Sequence, residues 1–317
     1  MQILVVLPVT ELQKKQLENA APGAAFLYRS PKDATAEEIA QSRIIVGNVP
    51  ADRIRASENL LLMQLNSAGT DAYIRPGVLH PSTKLANATG AYSKAVAEHL
   101  FAMGIALQKN LPLYRDMQRQ HVWGDAGRVT SMADATVLVV GMGDIGTNFA
   151  RLCKGVGAKT IGVRRRYADP VEGVDEIHLT EDLDALLPRA DVIASFLPGT
   201  GATKGIFSRE RFALMKPSAI FLNGGRGNAV DQDALADALQ NGRLFAAGLD
   251  VTDPEPLPAD HIFWTLPNLF LTPHISGGFH LPETLDRIVA IAARNIMHVV
   301  NGEPIENEVD FETGYRK

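Results

Sequence analysis

Three polar residues follow short apolar segments in the second half of the chain, and together they could carry out chemistry on a small anion. Arg226 follows the segment AIFLNGG, Glu255 follows GLDVTDP, and His274 follows NLFLTP. Each segment is typical of a buried strand, and ligands collect at the carboxyl ends of strands in an open α/β sheet. An arginine, a carboxylate and an imidazole there can bind an anionic substrate and transfer one proton. Taken singly, each residue has an ordinary surface or loop role open to it, so the prediction depends on their joint placement.

A glycine-rich segment is predicted at the same edge of the sheet. Residues 136–150, TVLVVGMGDIGTNFA, predict a strand, a tight turn and a helix. Gly141 permits the turn, Gly143 lets a pyrophosphate approach the backbone, and Gly146 lets the helix pack closely on the strand. The phosphates would bind the unpaired N–H groups at the helix N-terminus. A second strand over 159–163 completes a βαβ unit. The pattern therefore indicates a dinucleotide site, and a purely structural glycine turn is the alternative.

The end of that second strand indicates which dinucleotide binds. About twenty residues after the glycines, NAD sites usually carry an acidic residue that binds the ribose 2′-hydroxyl. This chain has Arg164, Arg165 and Arg166 instead. A carboxylate would repel a 2′-phosphate, whereas guanidinium groups pair with it. The prediction is NADP(H), with NAD(H) as the weaker alternative, and the competing interpretation is that the triplet forms a solvated turn.

Length and composition favour a soluble globular protein of two domains. The chain has 317 residues, of which 46% are hydrophobic and 21% charged, and each domain can bury its own core. The net charge is −5 and the sequence pI about 5.9, which argues against nucleic acid or an anionic membrane as a partner. The first residues, MQILVVLPVT, lack the features of a signal peptide. The single cysteine, Cys153, is expected to be buried and inert, which suits a cytoplasmic location.

The first part of the chain predicts a second α/β domain. Over residues 3–87, apolar runs alternate with polar helical segments, a pattern typical of a parallel sheet with helices on its faces. No glycine fingerprint follows Pro8, so this domain is not expected to hold the nucleotide. The segment LNSAGTD places Ala68 and Gly69 at the end of a strand. We expect their backbone amides to bind a substrate carboxylate, with an ordinary turn as the alternative.

Two helices are predicted between the domains' main segments. Residues 93–109 form a long helix that is apolar on most faces, which favours packing between domains or subunits. Glu98 and His99 lie within it, and since adjacent residues point to different faces, structural roles are favoured over a metal or acid–base site. No metal site is predicted. Residues 111–123 are predicted as an amphipathic helix with Trp123 as an apolar anchor.

Several motifs in the right order resemble the D-isomer-specific 2-hydroxyacid dehydrogenases over nearly the whole chain. They are NSAGTD, AVAEHLFAMGIAL, VVGMGDIG, LPGTGATKGIF, FLNGGRGNAVD, AAGLDVTDPEP and LTPHISGG. The resemblance, nearest to NADP-preferring glyoxylate/hydroxypyruvate reductases, implies two doubly wound parallel-sheet domains with a cleft between them, and usually a homodimer. A Rossmann nucleotide-binding domain would span 99–284, and a flavodoxin-like substrate domain would combine 1–98 with 285–317.

The same resemblance assigns roles to individual residues. It makes Arg226 the residue that binds the substrate carboxylate and polarises the carbonyl, His274 the proton donor, and Glu255 its carboxylate partner. The formate dehydrogenases of the family have Gln at the position of Glu255, consistent with chemistry that moves no proton. The residues predicted to contact the cofactor are Gly141, Gly143, Asp144, Ile145, Gly146, Arg164, Arg165, Arg166, Leu197, Pro198, Thr203, Gly225, Asp250, His274 and Gly277.

The chain departs from the commonest family pattern in two places. The arginine triplet replaces the acidic residue of the NAD-using members. Tyr92 and Lys94 also lie at the start of the long helix, at a loop that lies near the substrate in the family. Tyr92 is therefore a candidate substrate contact, and a packed structural tyrosine is the alternative.

The predicted function is that of a cytoplasmic reductase that uses NADPH to convert a small 2-keto acid into the D-2-hydroxy acid. The rival hypothesis is a dinucleotide-sensing interaction protein, such as the corepressors that share this fold. Both predict NADP(H) binding, but the presence of Arg226, Glu255 and His274 favours the enzyme. Glyoxylate, hydroxypyruvate, pyruvate and bulkier keto acids share the carboxylate–carbonyl unit, so the shape of the pocket decides between them.

Overall fold

The computed structural model describes residues 1–54, 59–167, 169–279, 281–312 and 314. The chain divides into two compact units: Met1–Tyr92 with Gly278–Lys317, and Ser93–Gly277. The predicted boundaries, after residues 98 and 284, lie a few residues later than these. The difference at the first boundary arises because the whole of the long helix that begins at Ser93 belongs to the second unit.

Strands and helices alternate along almost the whole described chain. The strands are β1 Gln2–Val5, β2 Ala25–Tyr28, β3 Ile44–Val46, β4 Leu62–Gln64, β5 Lys84–Ala86, β6 Thr136–Val140, β7 Lys159–Arg164, β8 Glu176–Leu179, β9 Val192–Ser195, β10 Ile220–Asn223, β11 Ala246–Leu249 and β12 Leu269–Leu271. The α-helices are α1 Glu11–Asn19, α2 Ala36–Gln41, α3 Ala51–Ile54, α4 Ser93–Gln108, α5 Leu111–Arg119, α6 Asp144–Gly155, α7 Leu183–Leu186, α8 Arg209–Leu214, α9 Gln232–Gln240 and α10 Pro282–Asn301.

The first unit contains a five-stranded parallel sheet with the strand order β2-β1-β3-β4-β5. This is the order of flavodoxin-like doubly wound folds. Its core combines apolar side chains of the strands with those of the covering helices, such as Leu4, Ile45 and Met63 of the sheet and Ile39 of α2. Thr10 and Thr35 each form a capping box at the start of α1 and α2, which satisfies N–H groups that a helix start leaves unpaired.

The second unit contains a seven-stranded parallel sheet with the order β12-β11-β10-β9-β6-β7-β8. Counted from β6, this is the Rossmann order with one strand added at an edge, and the order reverses between β6 and β9. Phe221 of β10 lies at the centre of an aromatic cluster, with ring centroids 4.9 Å from Phe207 and 5.4 Å from Phe212. The two sheets confirm the predicted fold class. The short edge strand β8 was not predicted, because its sequence EIHL mixes charged and apolar residues.

Helix α4 packs closely on the sheet of its own unit. Small residues make this approach possible: a Cβ atom on Gly104 would lie 3.1 Å from Leu222 of β10, and one on Gly248 of β11 would lie 2.5 Å from the sulfur of Met103. The prediction of a long, largely buried helix is confirmed, with its end one residue earlier, at Gln108.

The segment after α4 differs from its prediction. Helix α5 ends at Arg119 rather than at residue 123. The side chain of Trp123 is fully exposed, at 104%, so its predicted role as an apolar anchor within the chain is wrong. Leu111 and Val122 are also about half exposed. The apolar residues of this segment thus form a surface rather than part of the core.

Two further observations bear on the sequence-based expectations. Cys153 is a free, buried thiol, and burial raises its pKa to about 12. A thiol with so high a pKa is not a nucleophile near neutral pH, which confirms the prediction of an inert cysteine.

Among the described residues, no helix is long and apolar enough to cross a membrane.

Candidate active site

The predicted catalytic residues follow three neighbouring strands of the second unit. Asn223 at the end of β10 pairs with Leu249 at the end of β11, and Leu249 pairs with Leu271 at the end of β12. Arg226 and His274 each lie three residues beyond their strand. Adjacent strands lie about 4.8 Å apart, so the three strand ends span about 10 Å. The sheet therefore places the guanidinium-bearing and imidazole-bearing loops at one edge, as predicted.

The imidazole of His274 and the carboxylate of Glu255 are joined by a hydrogen bond. His274 Nδ1 lies 2.8 Å from Glu255 Oε2, with side chains 46% and 37% exposed. The other carboxylate oxygen, Glu255 Oε1, accepts a hydrogen bond of 3.0 Å from the backbone N–H of Thr252. The carboxylate is thus fixed at both oxygens, and the predicted partnership of the two residues is confirmed as a contact.

This contact determines the tautomer of His274. A carboxylate can only accept hydrogen bonds, so the hydrogen between Glu255 and His274 lies on Nδ1. Nε2 is then the ring atom left for a substrate: it donates a proton when the imidazole is charged and accepts one when it is neutral. The same geometry suits proton transfer in either direction.

A buried carboxylate holds the loop that carries His274. Asp250 directly follows β11 and is 1% exposed. Its Oδ1 accepts hydrogen bonds from the Thr272 hydroxyl at 2.6 Å and the Ile275 N–H at 3.0 Å. Its Oδ2 accepts bonds from both the N–H and the hydroxyl of Ser276. The lone pairs of this carboxylate are therefore used within the protein, and contact with the nicotinamide end stays a prediction.

The backbone of His274 shows why this support is needed. His274 has a φ of 50°, in the left-handed region, and its N–H donates to the carbonyl of Asp250 at 2.7 Å. A non-glycine residue in this region is strained and persists where its surroundings determine it. The bonds of Asp250 to residues on both sides of His274 supply that constraint.

His99 of α4 extends the network. Its Nε2 lies 3.0 Å from the Thr272 hydroxyl oxygen and 3.8 Å from Asp250 Oδ1. Because Thr272 donates its only hydroxyl hydrogen to Asp250, its oxygen accepts from His99, and Nε2 of His99 carries a hydrogen. The structural role predicted for His99 is therefore confirmed. Its side chain hydrogen-bonds to the loop that carries His274.

Arg226 is held by a buried asparagine. The carboxamide of Asn223 accepts from the N–H of Gly225 at 3.1 Å and donates to the carbonyl of Arg226 at 3.0 Å. The guanidinium donates to the carbonyl of Gly225 at 2.8 Å. A Cβ on Gly199, in the loop after β9, would lie 3.2 Å from Arg226 Cγ. The arginine is half-buried, with its backbone fixed from the strand it follows.

The glycine loop has the shape of a phosphate cradle. Gly141 has a φ of 100°, and a Cβ there would lie 2.9 Å from the carbonyl of Phe196. A Cβ on Gly146 would collide with the carbonyl oxygen of Gly141, whereas one on Gly143 meets nothing within 4 Å. Gly143 is also the N-cap of α6 and offers no side-chain cap. The first N–H groups of α6 therefore have no side-chain cap from Gly143, and the space beside this glycine is open, as the approach of a pyrophosphate requires.

The loop after β9 lies beside this cradle. Leu197 and Pro198 lie two and three residues beyond β9, and a Cβ on Gly225 would collide with the backbone of Leu197. Thr203 is buried, and its hydroxyl bonds to the carbonyl of Pro198. The carboxamide oxygen of Asn228 is buried without a hydrogen-bond partner among the described residues. A polar atom of this kind is expected beside a ligand. The residues present therefore fit a dinucleotide.

The arginine triplet lies at the end of β7, as predicted from the sequence. Arg164 is the last residue of β7, the strand next to β6, and Arg165 and Arg166 are exposed immediately beyond it. Asp144, the first residue of α6, and Ile145 follow the glycine turn at the end of β6. In the Rossmann arrangement the end of β7, where the arginine triplet lies, accepts the adenosine ribose.

The first unit carries the other predicted substrate residues. The carbonyl of Ala68 accepts from Asn87 at 2.9 Å and that of Gly69 from the Ser67 hydroxyl at 2.7 Å. Within the described chain, neither residue's N–H has a hydrogen-bond acceptor. These two half-buried amides remain available to an anion, as the prediction requires.

Tyr92 has a structural contact. It is 7% exposed, and its hydroxyl donates to the carbonyl of Asn66, at the start of the same loop. Burial raises the pKa of Tyr92 to about 12, so the phenol stays protonated near neutral pH. The packed role is thus observed, and a substrate contact stays a prediction. In the described part of the chain, no group of three or more His, Cys, Asp or Glu side chains is placed to hold a metal ion.

Comparisons with known proteins agree with this geometry. Residues 101–276 match the family described as D-isomer specific 2-hydroxyacid dehydrogenase, NAD binding domain. The chain belongs to the D-isomer-specific 2-hydroxyacid dehydrogenases. Its second unit is accordingly a Rossmann domain that binds NAD(P), and the predicted family is confirmed.

Individual relatives cover nearly the whole chain. It is 33% identical to glyoxylate/hydroxypyruvate reductase B of Pectobacterium atrosepticum, over 88% of this chain and 87% of the relative. A crystal structure of a family protein from Aeromonas salmonicida has a TM-score of 0.86 and 31% identity, covering 98% of this chain and 99% of that one. An NADPH-dependent glyoxylate/hydroxypyruvate reductase from Sinorhizobium meliloti, in complex with NADP and sulfate, has a TM-score of 0.81 and 26% identity, with 99% of each chain covered.

Sequence reasoning missed the residues that hold the dehydrogenase site in place. Asn223, Thr272 and Ser276 were not singled out, although each lies within a motif that carries the family resemblance. Their polarity in or directly after a buried strand was the available signal, since a buried polar side chain requires a partner.

The network of Asp250 predicts the effect of one substitution. Thr272→Val keeps the side-chain volume but removes the hydroxyl that links His99 to Asp250. We expect kcat for 2-keto acid reduction to fall by about ten- to a hundredfold, because a small misplacement of a catalytic group has effects of that size. The dissociation constant for NADPH should stay the same. Steady-state kinetics and cofactor titration measure both.

Thr265→Val is the matched control for this prediction. The Thr265 hydroxyl bonds only to the carbonyl of Ile262 within its own turn, so kcat should be retained. Undiminished kcat in a folded Thr272→Val protein would show that the network does not position His274.

Proposed function

We propose that the protein is a cytoplasmic, NADPH-dependent reductase that converts a small 2-keto acid into the D-2-hydroxy acid. The single observation that carries the proposal is the hydrogen bond of 2.8 Å between His274 Nδ1 and Glu255 Oε2 in a member of this family. A fixed imidazole with Nε2 free for a substrate is what a reaction with one proton transfer needs.

Each residue has a distinct task in this proposal. Arg226 binds the substrate carboxylate through its guanidinium, which is suited to planar, bidentate recognition. The free amides of Ala68 and Gly69 are proposed to contribute hydrogen bonds to the same carboxylate. The positive charge of Arg226 also stabilises the negative charge that develops on the carbonyl oxygen in the transition state.

Proton transfer is the task of His274. Bound NADPH supplies a hydride to the carbonyl carbon, and the carbonyl oxygen then needs a proton. The charged imidazole donates it from Nε2, and Glu255 stabilises that charged form before transfer. In oxidation, neutral His274 accepts the hydroxyl proton at the same atom.

The cofactor preference is supported by the arginines at the end of β7. Their guanidinium groups occupy the position where NAD-specific Rossmann domains carry an acidic residue. The NADPH-dependent relative from Sinorhizobium meliloti and the Pectobacterium reductase also support reduction of a small keto acid.

Initial-rate kinetics test the proposal. Purified protein is assayed with glyoxylate, hydroxypyruvate, pyruvate and bulkier 2-keto acids, with NADPH and NADH in parallel. We expect turnover of at least one acid with NADPH. Binding of NADPH without turnover of any acid in the panel would contradict the proposed enzymatic function and favour the dinucleotide-sensing interaction protein.

The first prediction concerns the arginine triplet. Replacing Arg164 and Arg165 together by Ala should lower kcat/KM with NADPH and leave kcat/KM with NADH nearly unchanged. Charge-assisted hydrogen bonds to the 2′-phosphate are worth about 1.5 to 3 kcal/mol, so the NADPH preference should fall by about ten- to a hundredfold. Arg189→Ala, whose guanidinium pairs with Glu176, is the control. Equal use of the two cofactors by the unmodified protein would refute this assignment.

The second prediction concerns pH. Glu255→Gln keeps the shape and a hydrogen bond but removes the charge that stabilises the imidazolium of His274. In reduction, which needs the charged imidazole, kcat/KM should begin its decline at lower pH. In oxidation, which needs the neutral imidazole, activity should extend toward acid pH.

The opposite signs distinguish charge from shape. Full pH–rate profiles in both directions, at saturating cofactor, measure the displacement. A variant whose profiles keep their position and lose only height would assign Glu255 a purely positional role.

The third prediction concerns assembly. We propose a homodimer, because α5 and the residues after it expose Leu111, Val122 and Trp123, and apolar groups in such a patch favour an interface. Light scattering should give twice the chain mass of 34.3 kDa. Trp123→Asp should shift the protein toward monomer, whereas Leu12→Asp, at another exposed apolar position, on α1, should not. A monomer at micromolar concentration contradicts the proposal.

A further inference from the structure

A pocket of about 530 Å³ lies beside His274 and Glu255 in the second unit. Its polar wall consists of Asp250, Thr252, Glu255, Thr272 and His274. The remaining wall is apolar and is formed by Pro256, Leu257, Trp264, Leu271 and Pro273. A largely apolar pocket with a few convergent polar groups is the usual form of a small-molecule site.

Trp264 is exposed, and one hydrogen bond orients its indole ring. Its indole N–H donates to the carbonyl of Pro258 at 2.8 Å, and the ring is 56% exposed. The neighbouring Phe263 is buried at 1% and anchors the short 3₁₀ helix Ile262–Thr265. An aromatic ring whose polar atom is already satisfied offers its apolar surface to a ligand without loss of side-chain entropy.

The position of His274 limits what can occupy the pocket. In the proposed reaction the substrate carbonyl oxygen lies within hydrogen-bond reach of Nε2, so the carbonyl carbon lies close to the imidazole. That carbon carries a carboxylate and a side chain. The carboxylate is assigned to Arg226, which is not among the residues that line the pocket. Of these two substrate groups, the side chain is the one not assigned elsewhere.

We propose that this pocket binds the side chain of the substrate, and that the preferred substrates are 2-keto acids with a branched aliphatic or aromatic side chain. The inference rests on the proposed reductase function and adds the substrate class. A glyoxylate molecule, which has hydrogen in place of a side chain, would leave the apolar wall in water. A larger apolar group removes this surface from water, and each methylene contributes about ten- to two-hundredfold in kcat/KM.

The wild-type enzyme provides the first test. With NADPH saturating, kcat/KM is measured for glyoxylate, pyruvate, ketoisocaproate and phenylpyruvate. Ketoisocaproate or phenylpyruvate should exceed glyoxylate by about tenfold or more. An enzyme that reduces glyoxylate but favours it over both larger acids would overturn the substrate class while the proposed reductase function stands. No turnover of any acid would instead overturn the proposed function itself.

Two variants locate the selectivity. Trp264→Ala should lower the ratio of kcat/KM for phenylpyruvate to that for glyoxylate by about tenfold. Ile262→Ala is the matched control, because Ile262 lies on the same 3₁₀ helix, is 40% exposed and does not line the pocket. It should keep the ratio. If Trp264→Ala instead raises KM for NADPH and leaves the ratio unchanged, the pocket holds part of the cofactor and the inference fails.

Discussion

The hydrogen bonds of the buried Asp250 carboxylate determine the conformation on which the candidate active site depends. Asp250 is 1% exposed, and its two oxygens accept bonds from Thr272, Ile275 and Ser276. These residues flank His274, whose left-handed backbone is otherwise unfavourable. A buried carboxylate is stable only when its oxygens are satisfied, so the loop and the carboxylate hold each other in place. The direction of the His274 imidazole follows from this mutual constraint.

The parallel sheet brings the loop of His274 together with the other residues of the candidate active site. Because β10, β11 and β12 run in the same direction and pair in register, Arg226, Glu255 and His274 come from loops at one edge. The glycine cradle follows β6 at the same carboxyl edge, beside the point where the strand order reverses. The positions of the proposed anion site, the proposed proton donor and the glycine cradle are therefore consequences of a single strand direction, while the pocket beside Trp264 depends on the loop that follows β11.

Much of this could be predicted from the sequence, because the relevant signals are local. Spaced glycines after an apolar run predict a strand, turn and helix, and the polar residues that end apolar segments predict a site at strand ends. The edge strand β8 lacked such a signal, since all four of its residues are only half-buried. Trp123 was predicted to be an apolar anchor but is exposed. The prediction failed because the apolar character of a side chain does not indicate which surface covers it. The hydrogen bond from His99 to Thr272 joins residues far apart in the sequence, and the periodicity of hydrophobic residues does not predict such a contact.

The configuration of the product tests the central claim most directly. The protein is incubated with NADPH and its best 2-keto acid, NADPH oxidation is followed by absorbance, and the hydroxy acid is resolved by chiral chromatography. The account predicts the D-enantiomer alone, in a one-to-one ratio to the NADPH consumed. Formation of the L-enantiomer or a racemate, or NADPH binding without any hydroxy acid, would contradict it.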